Sequence, residues 1–115
     1  MLSLNHKNLK VYQKSIELVS DIYALTQKFP SHENFGLTSQ LRRSAISIPS
    51  NIAEGASRKT EKERKRFYEI SRSSLVELDT QIGISINLGY LNKNQITKLE
   101  KLANEIFAML SAMAK

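Results

Sequence analysis

The sequence predicts an all-α protein, an antiparallel up-down-up-down four-helix bundle forming one domain over residues 1–115. Three observations carry that reading. Apolar residues recur at spacings of three and four through four successive segments. Four Gly and two Pro in 115 residues are too few for a loop-rich β-sandwich. The Gly, Pro and cap-forming residues fall mostly between the periodic segments, where helices should stop and start.

The first helix is expected over about residues 7–29. Val11, Leu18, Ile22, Leu25 and Phe29 make one stripe, and Tyr12, Ile16, Val19 and Tyr23 make a second beside it. Two adjoining stripes suit a helix that touches two neighbours. Pro30 ends it by removing a donor and crowding the preceding turn. A polar loop at 31–36 leads to a second helix from Leu37. There Leu37, Leu41, Ala45, Ile48 and Ile52 lie within a sector of about 80°. Pro49 falls inside that pattern and predicts a kink. Gly55 is the candidate stop.

Thr60-Glu61-Lys62-Glu63 has the form of a capping box and opens the third helix, which is expected to reach about residue 88. Phe67, Ser71, Ser74, Leu75, Leu78 and Ile82 share its inner face. Gly89-Tyr90-Leu91 reads as a C-terminal stop with an apolar residue folding back. Asn92 with Gln95 opens the fourth helix, where Ile96, Leu99, Ala103, Ile106, Leu110 and Met113 follow the alternating spacing of a bundle seam.

Composition narrows the chemistry. No Cys is present, so disulfides, thiolate metal sites and Cys nucleophiles are excluded. Neither His6 nor His32 follows a Glu by three, so the Glu-x-x-His pairs of a di-iron bundle are missing. There is no phosphate-binding Gly loop and no dinucleotide fingerprint. The expectation is a non-enzyme with no cofactor, metal or small-molecule substrate. No apolar run reaches the ~18 residues of a membrane span or resembles a signal peptide, so no membrane role and a cytoplasmic location are expected.

Charge is uneven. Lys+Arg total 17 against 11 Asp+Glu, a net +6. Arg42, Arg43, Arg58, Lys59, Lys62, Arg64, Lys65, Arg66 and Arg72 lie in one segment, opposed by Glu54, Glu61, Glu63 and Glu69. Every arginine of the chain is among them. Arginine's planar fork suits phosphate, so these nine are the candidate nucleic-acid-binding residues, for RNA or DNA. A solvated helix face with i,i+4 pairing, or a partner with an acidic surface, explains the same run.

Two further groups stand out on the second helix. Ile46, Pro49 and Ala53 point away from the core stripe and are candidates for an oligomer interface, unless the Pro49 kink turns both strips into one core. Arg43, Asn51 and Glu54, with Glu77 of the third helix, are candidates for a polar network, in which Glu77 should seek a cation such as Arg43 or Arg72.

The string LRRSAISIPSNIAEG at 41–55 is distinctive. It resembles the signature of the four-helix-bundle family encoded in intervening sequences of bacterial large-subunit ribosomal RNA genes. FYEISRSSLVELDTQI at 67–82, GYL at 89–91 and LKVYQKS at 9–15 resemble its other helices. The resemblance implies a left-handed antiparallel bundle that assembles as a homopentamer. It also implies kinship with the basic pentameric accessory protein of diversity-generating retroelements, which binds nucleic acid and a reverse transcriptase. It defines no catalytic residue. The expected function is therefore a self-associating basic scaffold or accessory protein that binds nucleic-acid backbone. The alternative is a structural or protein-interaction module with no nucleic-acid role.

Overall fold

The computed structural model describes residues 1–115 and contains four α-helices and no strand. The helices are α1 (Lys10–Thr26), α2 (Leu37–Ser57), α3 (Glu61–Asn87) and α4 (Thr97–Met113), with short 3₁₀ turns at Asn5–Asn8, Ser31–Glu33 and Lys93–Ile96. Each helix packs on its neighbours in sequence, and α1 closes the square against α4. Side-chain pairs give the directions. Lys14 early in α1 meets Glu105 at the middle of α4, while Glu17 and Asp21 further along α1 reach back to Lys98 at the start of α4. Ser47 meets Ser74 and Ile48 meets Ser71 across α2 and α3. Arg72 of α3 meets Ser111 near the end of α4. Every neighbouring pair is antiparallel, so the start of α1, the end of α2, the start of α3 and the end of α4 share one end of a body 44 × 27 × 20 Å in extent.

All 18 buried apolar residues join one cluster, so there is a single core. Leu18 and Ile22 of α1, Leu41, Ile48 and Ile52 of α2, and Ile106 and Leu110 of α4 are fully enclosed. On α1 the stripe of Val11, Leu18 and Ile22 is the buried one. The second stripe stays partly in solvent, with Ile16 and Tyr23 exposed. On α3 the inner face carries Tyr68 rather than Phe67. Tyr68 lies about 20° from Leu75 around the helix, whereas Phe67 lies about 80° away on the other side. On α4, Leu102 is buried and Ala103 only half-buried.

Local signals explain the helix ends. The Thr60 hydroxyl accepts the backbone N–H of Glu63 at 3.2 Å. Asn92 and Gln95 form the reciprocal capping box, which opens a 3₁₀ turn before α4 begins. At the end of α3, Tyr90 N–H reaches the Ser85 carbonyl at 2.9 Å and Gly89 N–H reaches that of Ile86 at 3.0 Å. This is a Schellman closure, and Gly89 adopts the φ of +82° that it requires.

α2 runs unbroken from Leu37 to Ser57 with Pro49 inside it. Pro49 itself is buried within the bundle, so it cannot belong to an outward strip with Ile46 and Ala53. The buried arc of α2 runs from Ser44 round through Ile48 and Ile52 to Pro49, about 140°. That arc is wide because α1 covers one flank and α3 the other. Ile46 remains outside at 43% exposure, and Ala53 is half-buried.

Candidate nucleic-acid interface and association faces

The four sides of the square differ in chemistry. Between α2 and α3 the contact is close and built from small polar residues. The Ser47 and Ser74 hydroxyls lie 2.8 Å apart, Ser71 donates to the Ile48 carbonyl at 2.9 Å, and Asn51 donates to the Ser47 carbonyl at 2.8 Å. Of the expected polar network only Asn51 takes part. Arg43 is exposed, Glu54 pairs with Arg58 at 3.1 Å, and exposed Glu77 accepts from Gln81 rather than from a cation. The serines do the work instead, because small hydroxyls satisfy buried carbonyls without carrying charge into the interior.

Between α1 and α4 lies a charged seam. Lys14 pairs with Glu105 at 2.8 Å, and Lys98 pairs with Glu17 at 3.3 Å and Asp21 at 3.7 Å. The Lys14 ammonium lowers the pKa of Glu105, and Glu17 and Asp21 raise that of Lys98.

The remaining two sides are each latched by an arginine. Arg42 of α2 lies 4.4 Å over the Tyr23 ring of α1 and donates from Nε to the Thr26 hydroxyl at 2.9 Å. Arg72 of α3 lies 4.3 Å over the Phe107 ring of α4 and donates from Nε to the Ser111 hydroxyl at 2.8 Å. Each latch ties an inner helix of the α2–α3 hairpin to an outer helix. A third arginine, Arg58, covers Phe67 at 4.7 Å beside its ion pair with Glu54. Three of the six arginines are thus held by rings. The sequence could not reveal this, because Arg42 and Thr26 stand 16 residues apart and Arg72 and Ser111 stand 39 apart.

The nine candidate cations do not form one surface. Arg42 and Arg43 lie about 22 Å along α2 from its C-terminal end. Arg72 is taken up at the α3–α4 side. Arg58, Lys59, Lys62, Arg64, Lys65 and Arg66 gather around the α2–α3 turn. There Lys65 pairs with Glu61 at 3.1 Å, and Arg64 donates from Nη1 to the carbonyls of Arg58 and Lys59 at 3.1 and 3.0 Å. Lys59, Lys62 and Arg66 are exposed and unpaired. The antiparallel topology adds cations that sequence locality misses. Lys7 and Lys10 at the start of α1 and Lys115 beyond α4 reach the same end. That end presents nine cations against Glu54, Glu61, Glu63 and Glu69.

Both latched sides also expose apolar surface. On the α1–α2 side Ile16, Tyr23 and Ile46 are exposed. On the opposite, α3–α4 side a groove of about 320 Å³ runs between the helices, floored by Leu75, Ile82, Leu99 and Phe107, with Val76 at 49% exposure on its lip. No three His, Asp or Glu side chains converge where they would hold a metal ion. No helix is long and apolar enough to cross a membrane.

The fold and this site define a small antiparallel four-helix bundle with one basic end. Residues 7–112 match the 23S rRNA-intervening sequence protein family, and the chain belongs to that family. The fold is similar to the crystal structure of a protein of unknown function from the S23 ribosomal protein family of Bacteroides thetaiotaomicron. The TM-score is 0.83 at 23% identity, over 91% of this chain and 98% of that one. No curated protein matches the chain.

Proposed function

We propose that this chain is a non-enzymatic, self-associating scaffold of the cytoplasm that binds the backbone of RNA or DNA through the basic end of its bundle. The carrying observation is the gathering of nine cations at one end by four antiparallel helices. Lys59, Lys62 and Arg66 project there without partners, and Phe67, the ring nearest them on α3 after the turn, is covered by Arg58. Such a surface attracts phosphate with little sequence preference.

The two apolar sides support association. They lie on opposite sides of the square and differ in make-up, exposed Ile16, Tyr23 and Ile46 on α1–α2 and a groove on α3–α4. Unlike surfaces on one chain join head to tail, and such contacts close into a ring when the rotation allows. The family resemblance supports five copies as the size of that ring. A ring repeats the basic end in each copy and strengthens weak phosphate contacts by avidity.

The test is nucleic-acid binding across a salt series with mass measured alongside. Affinity should fall with a log–log slope near −0.9 per neutralised phosphate on duplex DNA. Absence of binding at low salt would leave the structural-module reading. The commitment of Arg42, Arg58 and Arg72 to rings is the observation that favours that second reading.

A further inference from the structure

Beside the basic end, the 3₁₀ turn at Asn5–Asn8 folds against the end of α2 and leaves a cavity of about 390 Å³. Pockets for small ligands begin at about 300 Å³. Leu4, Leu9 and Ala56 supply its apolar lining. His6, Arg64 and Tyr68 supply the lining that can hold an anion. Three features make this lining more than a surface crevice. Tyr68 is only 8% exposed, yet its hydroxyl makes no hydrogen bond within the protein and is not among the enclosed polar atoms, so it opens to solvent on the cavity side. The donor is therefore free to meet a ligand in the cavity. Arg64 is fixed by two turn carbonyls through Nη1 alone, so Nη2 and Nε stay available on a guanidinium that cannot wander. The His6 ring is held edge-on to Tyr12 at 4.8 Å between centroids.

We propose that this cavity binds a nucleoside phosphate, with the phosphate between Arg64 and the Tyr68 hydroxyl and the base against Leu4, Leu9 and Ala56. A phosphate monoester satisfies both unpaired donors, and arginine binds it through two nitrogens at once. Burial raises the Tyr68 pKa, so the hydroxyl keeps its proton and donates, while the nearby Arg64 charge pulls the other way. Lys7, next to His6 in the chain, and Lys59, whose carbonyl holds Arg64, add positive charge to the neighbourhood and favour an anion. Two sources carry this chemistry, a free mononucleotide and the phosphorylated end of a strand. The second source rests on the reading of the basic end as a nucleic-acid surface.

Calorimetric titration with AMP, with inorganic phosphate, and with matched oligonucleotides bearing a 5′-phosphate or a 5′-hydroxyl tests the proposal. AMP should bind more tightly than inorganic phosphate. Tyr68→Phe, which keeps the ring packing, should weaken AMP about tenfold or more, the loss of one hydrogen bond to a charged acceptor. Its thermal melt should match that of the wild type. A 5′-phosphate preference that Tyr68→Phe abolishes assigns the strand end as the source. AMP binding with no such preference assigns the free nucleotide. No AMP binding at millimolar concentration together with no 5′-phosphate preference overturns the proposal, as does AMP binding indifferent to Tyr68→Phe. The 5′-hydroxyl strand tests the basic end separately, since its salt-dependent binding does not need the pocket.

Discussion

Gly55 and Tyr68 set the spacing of α2 and α3. A Cβ on Gly55 would stand 2.8 Å from Cε1 of Tyr68 and 3.0 Å from Cβ of Phe67. Neither obstacle is the free end of a flexible chain, so the helices must part to admit a methyl. Gly55→Ala should therefore destabilise the fold by about 1–3 kcal/mol despite its gain in helix propensity. Gly83, in the exposed interior of α3, has nothing within 4 Å of its added Cβ. Gly83→Ala should stabilise by about 0.5–1 kcal/mol. Thermal melts at equal protein concentration check both signs, and a shift in the same direction for both would refute the close-approach account.

Head-to-tail association makes a prediction about mixtures. Ile46→Glu places a charge on the exposed apolar α1–α2 face and Val76→Glu places one on the lip of the α3–α4 groove. Each variant alone should run as a 13.1 kDa monomer in light scattering. Mixed one to one, they retain one intact α1–α2 face and one intact groove, so a species of twice that mass should appear. A mixture that stays monomeric would mean that the two faces do not meet each other.

Charge reversal separates a basic end from diffuse basicity. Lys62→Glu with Arg66→Glu changes two exposed, unpaired cations and leaves the core alone. Nucleic-acid affinity should fall at least tenfold in low salt, with a shallower salt slope. The matched control is Lys28→Glu with Lys93→Glu, at the opposite end of the bundle. Lys98 is a poor control, because reversing it also breaks the pairs with Glu17 and Asp21. Equal losses from both double variants in a filter-binding assay would reject the localised surface.

How much of this was legible in the sequence depends on the range of the interaction. The helices and most caps are local, and the three-and-four spacing with Thr60, Gly89 and Asn92 places them within a few residues. Phe67 and Tyr68 were harder to assign, because both are aromatic and neighbours differ by only about 100° around the helix. Pro49 reads as a surface residue only if the buried arc of α2 is narrow, and its width depends on which helices flank it. The arginines show the limit most clearly. Six arginines within one 31-residue segment look like a single ligand surface, but rings on α1 and α4 take up Arg42 and Arg72, and only the folded topology brings Lys7, Lys10 and Lys115 to the basic end.

A carboxylate and a phenol at the far end predict a pH signature. The Tyr90 hydroxyl donates to Glu33 at 2.9 Å, and the other Glu33 oxygen accepts the Leu37 N–H at 3.1 Å, capping α2. The Leu37 bond and then the Tyr90 bond lower the Glu33 pKa from 4.5, and Glu33 raises that of Tyr90 from 10.0. Glu33 thus contributes stability above pH 4.5 that is lost as pH falls through its lowered value. Tyr90 contributes stability below pH 10.0 that is lost as pH rises through its raised value. Tyr90→Phe should lower Tm at pH 7, with the difference from wild type shrinking toward pH 3. A difference that stays constant across that acid range would show that the bond is not coupled to ionisation.

The short turn between α2 and α3 has a kinetic consequence. These helices share the most intimate seam, and only residues 58–60 separate them. Closing so small a loop costs little chain entropy, whereas pairing Lys14 with Glu105 must bring together residues 91 apart. The serine-lined hairpin is therefore expected to form first and to act as the template on which α1 and α4 condense. Backbone amides of α2 and α3 around Ile48 and Leu75 should then exchange with deuterium most slowly in the native state, and those at the α1–α4 edge fastest. Substitutions at Ser71 or Ser74 should slow refolding, while substitutions at Lys14 or Glu105 should mainly hasten unfolding.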